Sequence, residues 1–298
     1  MIYDFTADEL DEAGALDLPN PHLGDLTTIH PIFQRANFPR ITDTEYAALR
    51  PSLALCSAYL AASFDMQIFW QTLLYGPRHA IPNTPDWHIV HPPSPPFTEA
   101  HYHAMDFLLM PMSSMFAFQF VPCTTAFATE AWGLTTAWDR TAVDPTYTRP
   151  AGVAGLCSAI TLNPAFLDAA LAAHAYLASL PRDTTPDAET VCLILRQQWF
   201  FAVTTLHELA HGVNNAQRRE RAETEPFFEG QRRAEVGYAW EQFVHGGRIN
   251  QIHGSRASDC GFYFCTWPPG AEMDEVIGPH GRSLGYGWNR RASRTFCF

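Results

Sequence analysis

Apolar runs, broken at proline and glycine, lay out the chain before any motif is considered. Residues 1–43 are rich in proline and aspartate and hold no sustained period, which predicts an irregular leading segment. From Thr44 to Leu74 good helix formers continue without a glycine, and Pro51 is expected to open or kink a helix there. The prolines of "HPPSPPF", His91 to Phe97, exclude a regular element and mark a possible subdomain seam. "HAMDFLLMPMSSMFAFQFVPC" is dense in methionine and aromatic residues, a composition that belongs in a core. "GLCSAITLNPAFLDAALAAHAYLASL" reads as a strand, Cys157 to Leu162, and then a helix opened by Asn163-Pro164.

The most informative element follows. Thr185-Pro186 offers the same cap-then-proline start, and no glycine or proline interrupts Asp187 to His211. Val191, Leu193, Ile194, Leu195, Trp199, Phe200, Phe201, Val203, Leu206, Leu209 and Ala210 make this helix apolar nearly all round, so it is expected to be buried at the middle of its domain. Gly212 and the pair Asn214-Asn215 are expected to end it. No internal repeat is visible, and apolar runs continue on both sides of the proline-rich stretch. The reading is therefore one folded unit over residues 1–298, of α+β class: mainly helical, with a small sheet beside a central helix.

Composition narrows the function. The formal net charge is -12 with a pI near 5.4, which repels phosphate backbones, and no basic stripe offsets it; nucleic acid is not an expected partner. The pairs Arg218-Arg219 and Arg232-Arg233 sit among acidic residues and read as solvated surface. Seven scattered cysteines without a Cys-x-x-Cys point to free buried thiols rather than disulfides or a thiolate metal site. The first twenty residues have no apolar core of a secretory signal, so the expected location is cytoplasmic. The most apolar stretch, Pro51 to Gly76, is interrupted by Asp65, Gln67 and Gln71, and a buried helix is expected there rather than a membrane span.

Within the buried helix stands "TTLHELAHGVNN", Thr204 to Asn215. Helical positions four apart lie on one face, so His207 and His211 can aim imidazole nitrogens at a single cation. Glu208 is turned about a quarter of the way round, too far to join them and well placed to accept a proton from an activated water. Burying two histidines and a glutamate without a common partner would cost several kcal/mol. The spacing fits metal-assisted attack of water on a polarised carbonyl.

In these residues the chain resembles the zincin metallopeptidases, whose signature is His-Glu-x-x-His on a helix. The resemblance implies zinc as cofactor, His207 and His211 as ligands and Glu208 as general base. The downstream glycine and histidine of the Met-turn subgroup are replaced by Asn214 and Gln217, and the Gly-Thr and aspartate of another subgroup are missing. The glutamate subgroup, which takes its third ligand from the next helix, fits better: "RRAEVGYAWEQFVHGG" supplies Glu235 and Glu241, with Glu229 and His245 as lesser candidates. Gly237 suggests close helix approach near Glu235, which is preferred as ligand; Ala239 stands where an orienting aspartate often follows, leaving Glu241 to play that part. The resemblance also implies a zincin-like fold with a sheet edge beside the metal, and the strand within "GLCSAITLNP", ahead of the active helix, stands in the right order to supply it. Tyr238, His245, Tyr263 and Tyr286 are candidates for transition-state hydrogen bonding. His88 with His91, and His101 with His103, read as ordinary polar histidines.

The expected function is a zinc-dependent hydrolase acting on a peptide or small-molecule substrate, in the simplest case an intracellular metallopeptidase. Two alternatives share the metal: a biosynthetic enzyme using zinc as Lewis acid on a small metabolite, and a non-catalytic zinc protein.

Overall fold

The computed structural model of the chain describes residues 27–61, 64–82, 87–89, 98, 100, 109–121, 132–181, 184, 186–217, 225–228, 235–245, 248–251, 262–265, 275–277, 283–286 and 294–296. They form two compact units, one running up to Trp240 and the other from Glu241 onward. The fold is α+β and mainly helical, with small sheets. The proline-rich 91–97 and both arginine pairs lie outside the described residues.

In the larger unit, α1 spans Asp43–Ala61 and α2 spans Phe64–Tyr75. A capping box starts α1: the Thr42 hydroxyl accepts from the Glu45 N–H, and the Glu45 carboxylate accepts from the Thr42 N–H at 2.6 Å. Pro51 lies inside α1 and does not open it. The helix buries Leu49, Leu53, Cys56 and Leu60, and Phe69, Trp70 and Leu73 do the same for α2. No helix among the described residues is long and apolar enough to cross a membrane.

The main sheet has three strands, β3 (Phe116–Phe120), β4 (Gly133–Trp138) and β5 (Cys157–Leu162), in the order β3-β5-β4. β5 has the limits its sequence predicts, but it is the middle strand, paired on both sides, and the edge falls to β4 instead. β5 pairs parallel with β3 and antiparallel with β4, with Gly133 opposite Leu162 and Trp138 opposite Cys157. Phe118 of β3 stacks on Phe38 at 4.9 Å between ring centres, closing the core on one side. β1 (Arg78–Ala80), β2 (Trp87–Ile89) and β6 (Phe227–Phe228) form a second small sheet.

Asn163 caps α3 (Pro164–Ser179) by accepting from the Ala165 N–H at 3.0 Å, as its sequence predicts. The central helix, α4, runs from Ala188 to Gln217 against α1, α2, α3, β4 and β5. Asp187 caps it by accepting from the Thr190 N–H at 2.8 Å. Gly212 does not end this helix. It lies five residues before the last one, Gln217, with Asn214 and Asn215 also inside the helix, and a Cβ on it would stand 2.9 Å from Cε1 of Phe116, so its lack of a side chain lets α4 settle on the sheet. The true end is closed from outside: Gly155 and Leu156, just before β5, donate their N–H groups to the carbonyls of Ala216 (2.9 Å) and Asn215 (2.8 Å). The Asn215 side chain adds a bond to Ser158 Oγ at 3.1 Å.

α5 spans Val236–His245. In the unit that begins within it, β7 (Arg248–Gln251), β8 (Phe262–Cys265) and β11 (Arg294–Phe296) make an antiparallel sheet in the order β11-β8-β7, and β9 (Glu275–Ile277) pairs with β10 (Ser283–Tyr286).

Candidate metal centre

Helical geometry puts His207 and His211 of α4 one turn apart, with ring centres 5.2 Å from each other. Glu235 reaches them from the residue before α5. One of its oxygens, Oε1, lies 2.6 Å from Nε2 of His211 and 3.2 Å from Nε2 of His207. One ligand atom from each of these three residues lies within 4.8 Å of the others, so the cluster could hold a metal ion. The side chains are 14, 17 and 21% exposed for His207, His211 and Glu235, which shields the cluster yet leaves it reachable. Donors on one tetrahedral ion stand about 3.3 Å apart, so the tightest of these contacts needs to open by under about 1 Å. Two imidazoles and a carboxylate are donors that suit a divalent transition-metal cation.

Glu235 was expected on the helix itself; it sits instead at the helix's N-cap. Its Oε2 accepts from the Tyr238 N–H, and its own carbonyl accepts from the Ala239 N–H at 3.1 Å. The close approach expected at Gly237 is present. A Cβ there would stand 2.3 Å from Cδ2 and 2.4 Å from Nε2 of His207. Tyr238 packs its ring edge-on against the same imidazole, 4.9 Å between centres.

The carboxylate that fixes His211 from behind is one the sequence reading did not name. Glu225 Oε1 is 2.6 Å from His211 Nδ1, while Oε2 accepts from the Val236 N–H at 3.2 Å. Glu241, expected in that part, accepts from the Ile249 N–H at 2.6 Å. A sequence signal for Glu225 did exist: a carboxylate before Pro226, between the two elements that carry the cluster, where the following proline disfavours helix. Glu229 lies outside the described residues, as do His91, His101 and His103; His88 falls on β2. Tyr263 and Tyr286 fall on β8 and β10.

Glu208 points from α4 toward β4. It is buried, its Oε2 accepts from the Thr135 hydroxyl at 2.7 Å, and its own carbonyl is 2.9 Å from that hydroxyl as the alternative acceptor. Gly133 leaves the room: a Cβ there would stand 2.5 Å from Glu208 Cγ. The strand therefore sets where the carboxylate rests.

His211 has a carboxylate oxygen 2.6 Å from each ring nitrogen, a setting that favours the doubly protonated imidazolium. Burial alone would lower its pKa, but Glu225 and Glu235 outweigh that and push it up to about 10. Burial likewise opposes ionisation of Glu235, yet His207 and His211 hold its carboxyl well below the usual carboxylate range. An imidazole raised from 6.5 to about 10 on folding stabilises the fold fully below pH 6.5 and loses that contribution as pH climbs toward 10. Chelator-stripped protein is accordingly expected to melt at progressively lower temperature from pH 7 to pH 10 (a window set by that raised pKa), and His211→Asn to lose most of this slope. A flat melting profile in the unsubstituted protein would mean that His211 folds neutral.

Comparisons with protein-family models, with curated proteins and with solved structures find no match for this chain.

Proposed function

We propose that the chain is a zinc-dependent hydrolase of zincin type that cleaves peptide bonds. The observation that carries this reading is the convergence of His207, His211 and Glu235 on one point, with Glu208 held on the adjacent flank of the same helix. His207 and His211 would hold the ion through their Nε2 atoms, and Glu235 through a carboxylate oxygen. When bound, such an ion supplies Lewis acidity that polarises a carbonyl and brings a water's pKa down to about 7.

The remaining work falls to the chain's own groups. Glu208 accepts the proton released as water attacks and returns it to the departing amine. Thr135 keeps the Glu208 carboxylate on the strand side of the helix and so fixes the direction of that transfer. Tyr238, packed on His207, is assigned to meet the charge that develops on the carbonyl oxygen.

A peptide substrate is favoured by β4. The Asn163 N–H donates to the Trp132 carbonyl at 2.9 Å, which makes that facing pair a hydrogen-bonded one. Alternation along the ladder then turns the N–H and C=O of Gly133 and Thr135 away from β5. Among the described residues β4 pairs on one side only, so an extended chain could add there beside Glu208.

The test begins with zinc. Chelator-stripped protein is expected to take up one equivalent, and Glu235→Ala to bind at least about 100-fold more weakly, at or beyond the ~10–100-fold typical of an outer partner. A peptide-library digest then reads cleavage. Protein that takes up no zinc ends the proposal, whereas one equivalent of zinc without cleavage of any peptide moves the reading to a small-molecule substrate.

A further inference from the structure

The first turn of α5 meets all three candidate ligands. Glu235 caps it, Gly237 lies against the His207 ring, and the Val236 N–H is held by the same carboxylate that holds His211. That shared carboxylate, Glu225, belongs to neither helix. Its two oxygens are divided: Oε1 at 2.6 Å from His211 Nδ1, and Oε2 at 3.2 Å from the Val236 nitrogen. We infer that Glu225 is a positioning residue that couples His211 to the Glu235-bearing helix start, so that the second and third ligands are presented as one piece.

The inference rests on the reading of the centre as a metal site. An outer carboxylate that only oriented an imidazole would need one oxygen. Here the second oxygen engages a backbone N–H that, as one of the first in the helix, has no partner within it. Without Glu225 the His211 ring loses the acceptor that fixes its tautomer, leaving Nε2 less well aimed. The start of α5 also loses a tie to α4, and Glu235 is the residue immediately before that tie.

A cycle of substitutions separates coupling from plain orientation, because contacts that act independently add and coupled ones do not. Val236 is the first residue of α5, where proline is tolerated, so Val236→Pro removes the N–H that Glu225 accepts while keeping the helix start. The readout is zinc affinity, measured by competition with a chelator on stripped full-length protein. Glu225→Ala is expected to weaken binding about 10–100-fold. Val236→Pro should weaken it several-fold in the unsubstituted chain and add nothing further in the Glu225→Ala background. Loss of Val236 packing would be the same in both backgrounds and cancels in the comparison.

If Glu225→Ala does not fold, Glu225→Gln replaces it, since an amide can serve His211 or Val236 but not both as acceptor, and an intermediate affinity is then expected. Equal losses from Val236→Pro in both backgrounds would overturn the coupling, as would unchanged affinity in the Glu225 variants. Those outcomes leave the zinc reading standing. Failure of the unsubstituted protein to bind zinc removes both.

Discussion

Replacing Glu208 with glutamine is expected to leave one equivalent of zinc bound and to lower turnover by about 10²–10⁴-fold. The substitution is close to isosteric, and the amide oxygen can still accept from the Thr135 hydroxyl, so the helix, the strand and the ligand cluster have no reason to move. Only the capacity to take up and return a proton is lost. Metal content measured alongside turnover makes the result unambiguous. A variant with full zinc and wild-type turnover would show that the proton is handled elsewhere, and with it the mechanism above would fall.

The second large effect is expected at Gly237. An alanine there would set its methyl group 2.4 Å from Nε2 of His207, the atom proposed to face the ion. Neither side yields easily, because the glycine is part of a helix's first turn and the imidazole springs from the buried face of α4. The ring must rotate or α5 must back away, and either movement separates His207 from Glu235. Gly237→Ala is expected to bind zinc at least about 100-fold more weakly, comparable to loss of a ligand, while overpacking costs about 1–3 kcal/mol of stability. Equilibrium zinc titration and a thermal melt on the same sample would check both; unchanged affinity would mean that the helix approach is looser than drawn.

What could be read from sequence was local. Asn163-Pro164 opens a helix because a side-chain acceptor and a fixed φ act within three residues, and the structure has that cap. The two histidines share a face because helical pitch alone decides it, and Glu235 meets them. Glu225 escaped because its bond to His211 links positions 14 apart across a connection without a period. Gly212 misled for a different reason. A glycine after an apolar run is the same signal whether it ends a helix or clears space for a neighbouring sheet, and only the Phe116 ring distinguishes the two. β4 likewise carried no announcement. Its place beside Glu208 follows from pairing with β5 in three dimensions, and with it the role of Thr135.

The fastening of Asn215 and Ala216 by backbone groups from just before β5 has a further consequence. With that end anchored, the five steps from Ala216 back to His211 act as a fixed gauge between anchor and imidazoles. Each residue of an α-helix advances about 100° around its axis. One amino acid inserted or deleted in that interval would swing both rings off their target by that angle, so a substitution in this stretch and a change in its length belong to different orders of severity.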